Sequence, residues 1–381
     1  MTKRSAALIG MVLALTGACG GAPAAVAPTT STTSTTSTTS TGPATAATGA
    51  APGSTPAGTA PADRVAVHTR SITIDDPTLG PLTFDALAAG DPAVAAQGRL
   101  VVLLHGFPET AESYRAFLPT LAAEGYYAVA YSQRGYSPGA RPEAVERYNI
   151  VEIVGDLLRV VERLGATTFH VVGHDWGGGV AWAVAVLQPA RVTTLTALST
   201  PHPDALSRGI RDPADPQHQA SAYMDTFREA GSEDRLLVNG ADSFRSIFGP
   251  AAGGLPADKI DAYAKVLATP PALRAALNWY RANPLDRIAT LGPVRVPTLY
   301  LWGAEDGAFA RPTVERTREL VSAPYTYVEL PGHGHWLPED AVDEVLTHLI
   351  PHLAAGMASA NGTTGTTGTT GTTGTTAGPT R

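Results

Sequence analysis

The segment GHDWGG, Gly173 to Gly178, puts a carboxylate at the point of a turn where the G-x-S-x-G motif presents a serine. It follows the β-rich run FHVVG and opens the helical run GGGVAWAVAVL, the strand–turn–helix setting of a nucleophile elbow. Gly173 and Gly177 flank the central residue because so tight a turn has no room for side chains. A carboxylate there cannot be acylated as a serine is. It can displace a leaving group at an sp³ carbon and form an alkyl ester, whose hydrolysis needs a water, a general base and an acid that orients the base. Asp175 is the candidate nucleophile; the bland alternative is an N-cap aspartate on an elbow kept without activity.

The partners should follow in the chain order nucleophile, acid, histidine. WGAEDGAF, Trp302 to Phe309, places Asp306 in a loop after a strand-like run and is preferred over its neighbour Glu305. PGHGHWLPED, Pro331 to Asp340, offers two histidines after the last strand; His335 is taken as the base and His333 as a supporting loop residue. HGFPE, His105 to Glu109, directly follows the apolar run LVVLL. The loop at that place and the residue after the nucleophile supply the amides that hold an oxyanion, which assigns Phe107 and Trp176. Pro108 has no N–H to give and is expected to fix the turn.

These residues need a scaffold, and the pattern supplies one. The runs LVVLL (100–104), YYAVAY (126–131), FHVVG (169–173), VTTLTAL (192–198), TLYLW (298–302) and YTYVEL (325–330) read as continuously buried strands. They alternate with helical stretches, and residues 70–74 and 82–87 form a leading antiparallel hairpin. The expected class is α/β: a mostly parallel central sheet with helices on both faces. Residues 202–291 break the rhythm with helical segments such as ADKIDAYAKVLA and PALRAALNWYRA. An insertion of this size reads as a helical cap over the C-terminal edge of the sheet, dividing the core into 63–201 and 292–355.

The chain's ends are of another kind. Met1 to Cys19 has two positive charges, an apolar run of about half the ~20 residues that span a bilayer, and the only cysteine of the 381 residues. It reads as a secretory signal whose Cys19 stands where a bacterial lipoprotein is cut and lipidated, although Thr16 departs from the usual leucine. Residues 20–62 (Ala, Pro, Thr, Ser, Gly) and the GTT repeats of 356–381 have almost nothing to bury and are expected to be disordered spacers. The expected location is the cell surface, tethered through Cys19, or the exterior. A formal charge of −7 without a basic block argues against nucleic acid, and no metal or cofactor motif is found.

Together HGFPE, QRGYS (133–137), GHDWGG, LNWYR (277–281) and GHW resemble the α/β-hydrolase-fold epoxide hydrolases over nearly all of the folded region. The resemblance implies hydration of a small hydrophobic epoxide to a vicinal diol through an ester on Asp175, with Asp306 and His335 completing the triad. It also implies two cap tyrosines that protonate the opening alkoxide, for which Tyr280 in LNWYR and Tyr223 in AYMDTFREAG are the matches. A phenol of pKa ~10 can do this while staying neutral at pH 7. The nearest rival is a haloalkane or haloacid dehalogenase with the same triad; Phe107 offers it no side-chain donor for halide, and Trp176 stands where a fluoroacetate dehalogenase would carry arginine. From a different class, an inactive surface lipoprotein acting as a binding module predicts a fold indifferent to Asp175→Ala.

Overall fold

The computed structural model describes residues 65–250, 254–285 and 290–362. The expected signal, Cys19, the whole of the 20–62 spacer and the GTT repeats beyond 362 lie outside the described residues.

Eight strands form one sheet: β1 (His68–Asp76), β2 (Gly80–Ala89), β3 (Leu100–Leu104), β4 (Tyr127–Tyr131), β5 (Phe169–His174), β6 (Val192–Leu198), β7 (Thr298–Gly303) and β8 (Tyr325–Leu330). Their spatial order is β1-β2-β4-β3-β5-β6-β7-β8. β1 and β2 pair antiparallel, β2 meets β4 antiparallel, and every pairing from β4 through β8 is parallel. The chain leaves β3 for β4 on one side and returns to β5 on the other. That reversal opens a crevice at the C-terminal ends of β3 and β5, where open α/β sheets bind ligands.

Both faces of the central strands are covered, which is why LVVLL is apolar at every position. Val102 and Leu104 join Val129, Val171 and Trp182 on one face; Val101 and Leu103 join Ala128, Leu118, Leu346 and Leu349 on the other. The first face is packed by α2 (Ile150–Arg163), capped by the Asn149 side chain, and α3 (Trp176–Leu187). The second is packed by α1 (Phe117–Ala123) and the C-terminal helix. Arg134, fully buried after β4, ties the hairpin to α2 by donating to Asp76 (2.9 Å) and Asp156 (2.7 Å).

Between β6 and β7 the chain makes α4 (Pro203–Arg211), α5 (Pro216–Ala220), α6 (Tyr223–Arg228), α7 (Ser232–Leu236), α8 (Ala241–Phe248), α9 (Ala257–Leu267) and α10 (Pro270–Ala282). α10 is pinned to the core: Trp279 Nε1 donates to the Arg134 carbonyl (2.8 Å), and the Asn283 amide bonds both Tyr148 O and Ile150 N. Beyond β7 come α11 (Arg311–Arg316), α12 (Leu337–Asp340) and α13 (Val342–Gly362).

Two expectations are corrected. YTYVEL is a strand, but not a continuously buried one: β8 is the outermost strand, has only β7 beside it, and leaves Thr326 and Tyr327 exposed. The tail expected from residue 356 begins later, because α13 continues to Gly362. Its residues Leu353 and Gly356 still pack on the sheet, Gly356 so closely that a Cβ would lie 2.2 Å from Thr194, so composition alone placed the boundary too early.

Candidate active site

Asp175 stands between β5 and α3 with φ 48° and ψ −119°, a conformation that costs a non-glycine residue about 1–3 kcal/mol and persists only where the surroundings enforce it. The enforcement is close packing. A Cβ on Gly177 would sit 2.1 Å from the Leu104 carbonyl, and one on Gly106 would sit 2.3 Å from the Asp175 Cβ. Thr200 Oγ1 donates to the Asp175 carbonyl at 2.9 Å. Although Asp175 is the N-cap residue of α3, its side chain caps nothing: Oδ1 accepts from the Phe107 amide at 2.8 Å. Trp176 is the first residue of α3, so its amide has no intrahelical acceptor and belongs to the same N-terminal group of donors.

The other carboxylate oxygen, Oδ2, lies 3.8 Å from His335 Nε2, and His335 Nδ1 lies 3.1 Å from Asp306 Oδ2. Asp306 is itself held by the amides of Ala308 (2.7 Å) and Phe309 (3.1 Å), which accounts for its fixed orientation. Burial would depress the His335 pKa, but Asp306 first, then Asp175 and Glu109, overcome it and raise it to about 9. The neighbours stand elsewhere: the Glu305 amide bonds the His333 carbonyl, and the His333 ring faces Asp340 and Glu344 at 3.6 and 3.8 Å.

The cap completes the enclosure. Tyr280 on α10 is buried, with its ring 5.0 Å from Trp176 and 6.5 Å from Tyr223 on α6. Burial pushes both phenols above their ordinary pKa, and the Asp175 charge adds to it, so both remain protonated donors at neutral pH. Phe107 packs edge-on against Phe227, Phe248 and Tyr280, while Phe309 and Trp336 flank His335. Asp175, Asp306, His335, Tyr223, Tyr280, Phe107 and Trp176 thus converge on one aromatic-walled space.

Four further side chains frame this set and were given no role in the sequence reading, although three sit inside quoted motifs. Glu109 Oε2 accepts from the Gly106 amide (2.6 Å) and from His174 Nδ1 (2.9 Å). His174 Nε2 donates to the His335 carbonyl at 2.8 Å, where Ser199 Oγ also donates at 2.7 Å. His105, kept neutral by burial with a pKa of about 4, donates from Nδ1 to Gly106 O and accepts the Gln133 amide at Nε2. The usable signal was a polar residue at the C-terminal end of each buried run: His105 after LVVLL, His174 after FHVVG and Ser199 after VTTLTAL.

An elbow aspartate on this doubly covered sheet defines an α/β hydrolase, and residues 99–342 match the family model of the alpha/beta hydrolase fold. The chain belongs, within that fold, to the epoxide hydrolase family. It is 32% identical over 305 residues to epoxide hydrolase A of Mycobacterium tuberculosis, covering 70% of this chain and 92% of that one. Among solved structures it resembles epoxide hydrolase A of Mycobacterium thermoresistibile (28% identity, TM-score 0.62, 76% of this chain and 98% of that one). It also resembles the Bacillus megaterium epoxide hydrolase in complex with an inhibitor (25% identity, TM-score 0.65, 75% of this chain and 100% of that one).

Proposed function

We propose that the protein hydrates a hydrophobic epoxide to a vicinal diol in two steps. The observation that carries this reading is the division of labour at Asp175: Oδ1 is held by the Phe107 amide while Oδ2 faces His335, with two neutral cap phenols over the site. Oδ2 attacks an epoxide carbon, the C–O bond breaks, and a proton from Tyr223 or Tyr280 neutralises the leaving alkoxide. His335 Nε2 then takes a proton from water, which attacks the Asp175 carboxyl carbon. The oxyanion forms on Oδ1, against the amides of Phe107 and Trp176; its collapse expels the diol oxygen, which takes the proton held by His335, and the proton of the regenerated Asp175 carboxyl returns to the tyrosinate. Asp306 keeps Nε2 aimed at the water and offsets the charge His335 acquires.

The aromatic walls favour an apolar substituent on the ring. The Phe107 side chain, committed to Phe227, Phe248 and Tyr280, is a poor halide partner, which favours epoxide over haloalkane. The test is diol formation from styrene oxide and longer alkyl epoxides by wild type and Asp175→Ala, with haloalkanes in parallel. Diol lost in the variant supports the proposal; halide release without diol moves the reading to dehalogenase, and silence from the folded wild type favours the binding module. The proposal extends to a surface enzyme tethered through Cys19, for which lipid incorporation in cells, abolished by Cys19→Ser, is the check.

A further inference from the structure

Next to the triad, a chain of buried polar groups runs from the cap into the core. Tyr263 on α9 donates to Glu339 Oε1 on α12 at 2.7 Å. The Glu339 carboxyl lies within hydrogen-bonding reach of Glu109, which holds the Gly106 amide and His174, and His174 holds the carbonyl of His335. Two oxygens in this chain are buried with no donor: Glu109 Oε1 and Glu339 Oε2. Glu109 is fully buried.

Donor and acceptor arithmetic places the protons. His174 Nε2 faces a carbonyl, and Nδ1 faces the Glu109 oxygen that also accepts the Gly106 amide, so Glu109 Oε2 is fully engaged and only Oε1 is left toward Glu339. If Glu339 were ionised, two carboxylates would abut in a buried space and both orphan oxygens would stay unpaired. One proton on Glu339 satisfies both at once. The pair then holds one carboxylate, Glu109, and one carboxylic acid, Glu339, with the Tyr263 phenol donating to the acid.

We propose that Glu339 and Glu109 share a proton, and that Glu339 and Tyr263 are positioning residues coupling the seating of the cap to the loop that carries His335. This rests on the hydrolytic reading given above for what His335 does. The ionisable groups facing the pair are Tyr263 and Lys259 from α9, Tyr114 from the turn before α1, His105 from the loop after β3, Tyr136 from the loop after β4, His174 at the end of β5 and His335 from the loop after β8. The Tyr263 hydrogen bond and the cationic Lys259 favour ionisation, but burial and the Glu109 charge oppose it more strongly and hold the Glu339 proton well above the carboxylate range.

The full-length chain and its Glu339→Gln, Glu339→Ala and Tyr263→Phe variants test this. A glutamine amide can donate to Glu109 and accept from Tyr263, so it imitates the protonated acid and no other form. Single-turnover kinetics with styrene oxide should show alkyl-enzyme breakdown slowed on the order of 10- to 100-fold in Glu339→Ala and in the same direction in Tyr263→Phe. Glu339→Gln should restore the rate and lack the alkaline decline expected of wild type as the shared proton is lost. Glu339→Gln as slow as Glu339→Ala, or Glu339→Ala equal to wild type, would overturn the proposal. Infrared difference spectra give a readout free of epoxide chemistry. A protonated-carboxyl C=O stretch at neutral pH should be present in wild type and absent from Glu339→Gln. Its absence from wild type overturns the shared proton, while its presence in a protein that turns over no epoxide removes the hydrolase reading and leaves the proton pair standing.

Discussion

With a pKa of about 9, His335 is an imidazolium at neutral pH in the free protein and cannot take a proton from water. The structure supplies the means of releasing it. Asp175 Oδ2 and His335 Nε2 are 3.8 Å apart. Two unit charges at about that separation interact by about 4 kcal/mol at an effective dielectric near 20, equivalent to roughly three pKa units and an upper bound for this pair. Esterification of Asp175 removes one of the two adjacent anions, so His335 becomes a base when, and only when, there is an ester to hydrolyse. Asp175→Asn imitates the esterified state and should lower the His335 pKa by roughly one to three units. NMR titration of the His335 ring in wild type and Asp175→Asn measures this directly. In single turnover, the breakdown step should rise with pH around a midpoint below that of the free protein. The same His335 pKa in wild type and Asp175→Asn would refute the reasoning, because the neighbouring charge would then play no part in timing the base.

His335→Gln should still be alkylated but release product slowly, so intact-protein mass spectrometry should show a substrate-sized adduct on Asp175. Tyr223→Phe combined with Tyr280→Phe should raise the ring-opening barrier by several kcal/mol, since a positioned acid contributes about 10²–10⁴-fold; unchanged turnover would exclude both phenols. The raised His335 pKa also stabilises the fold: the contribution is full below pH 6.5 and is lost as pH rises through about 9. Asp306→Asn should flatten that dependence, whose full span is about 3 kcal/mol, in urea midpoints measured on either side of the window. Arg134→Met strands the buried carboxylates of Asp76 and Asp156 and should cost about 3–5 kcal/mol in the same assay; wild-type stability would show that those carboxylates do not depend on Arg134.

The central sheet was legible because strands covered on both faces must be apolar throughout, and LVVLL, FHVVG and TLYLW satisfy that locally. Periodicity could not report where a strand lies in the sheet. YTYVEL has strand composition, but its burial is set by β7 alone on one side and nothing on the other, a fact about sheet order and not about six residues. The C-terminal boundary failed for a related reason: the small residues near Gly356 read as spacer, whereas their smallness lets the end of α13 approach Thr194.

The candidate site divides along the same physical line. Asp175, Asp306 and His335 sit in turns whose backbone demands local glycines, so each advertises itself within a few residues of chain. Glu109, His174, Glu339 and Tyr263 act through one another across as many as 230 positions, and nothing at any one of them requires the others. Their relation is visible only as unsatisfied hydrogen-bonding capacity once the fold is known, because a buried oxygen without a donor is costly enough to call for an explanation. A proton supplies that explanation at Glu339. It also gives the charges beside the base a logic: Asp175 changes its charge during turnover, whereas the Glu109 and Glu339 pair holds one negative charge that does not, leaving Asp175 alone to switch His335.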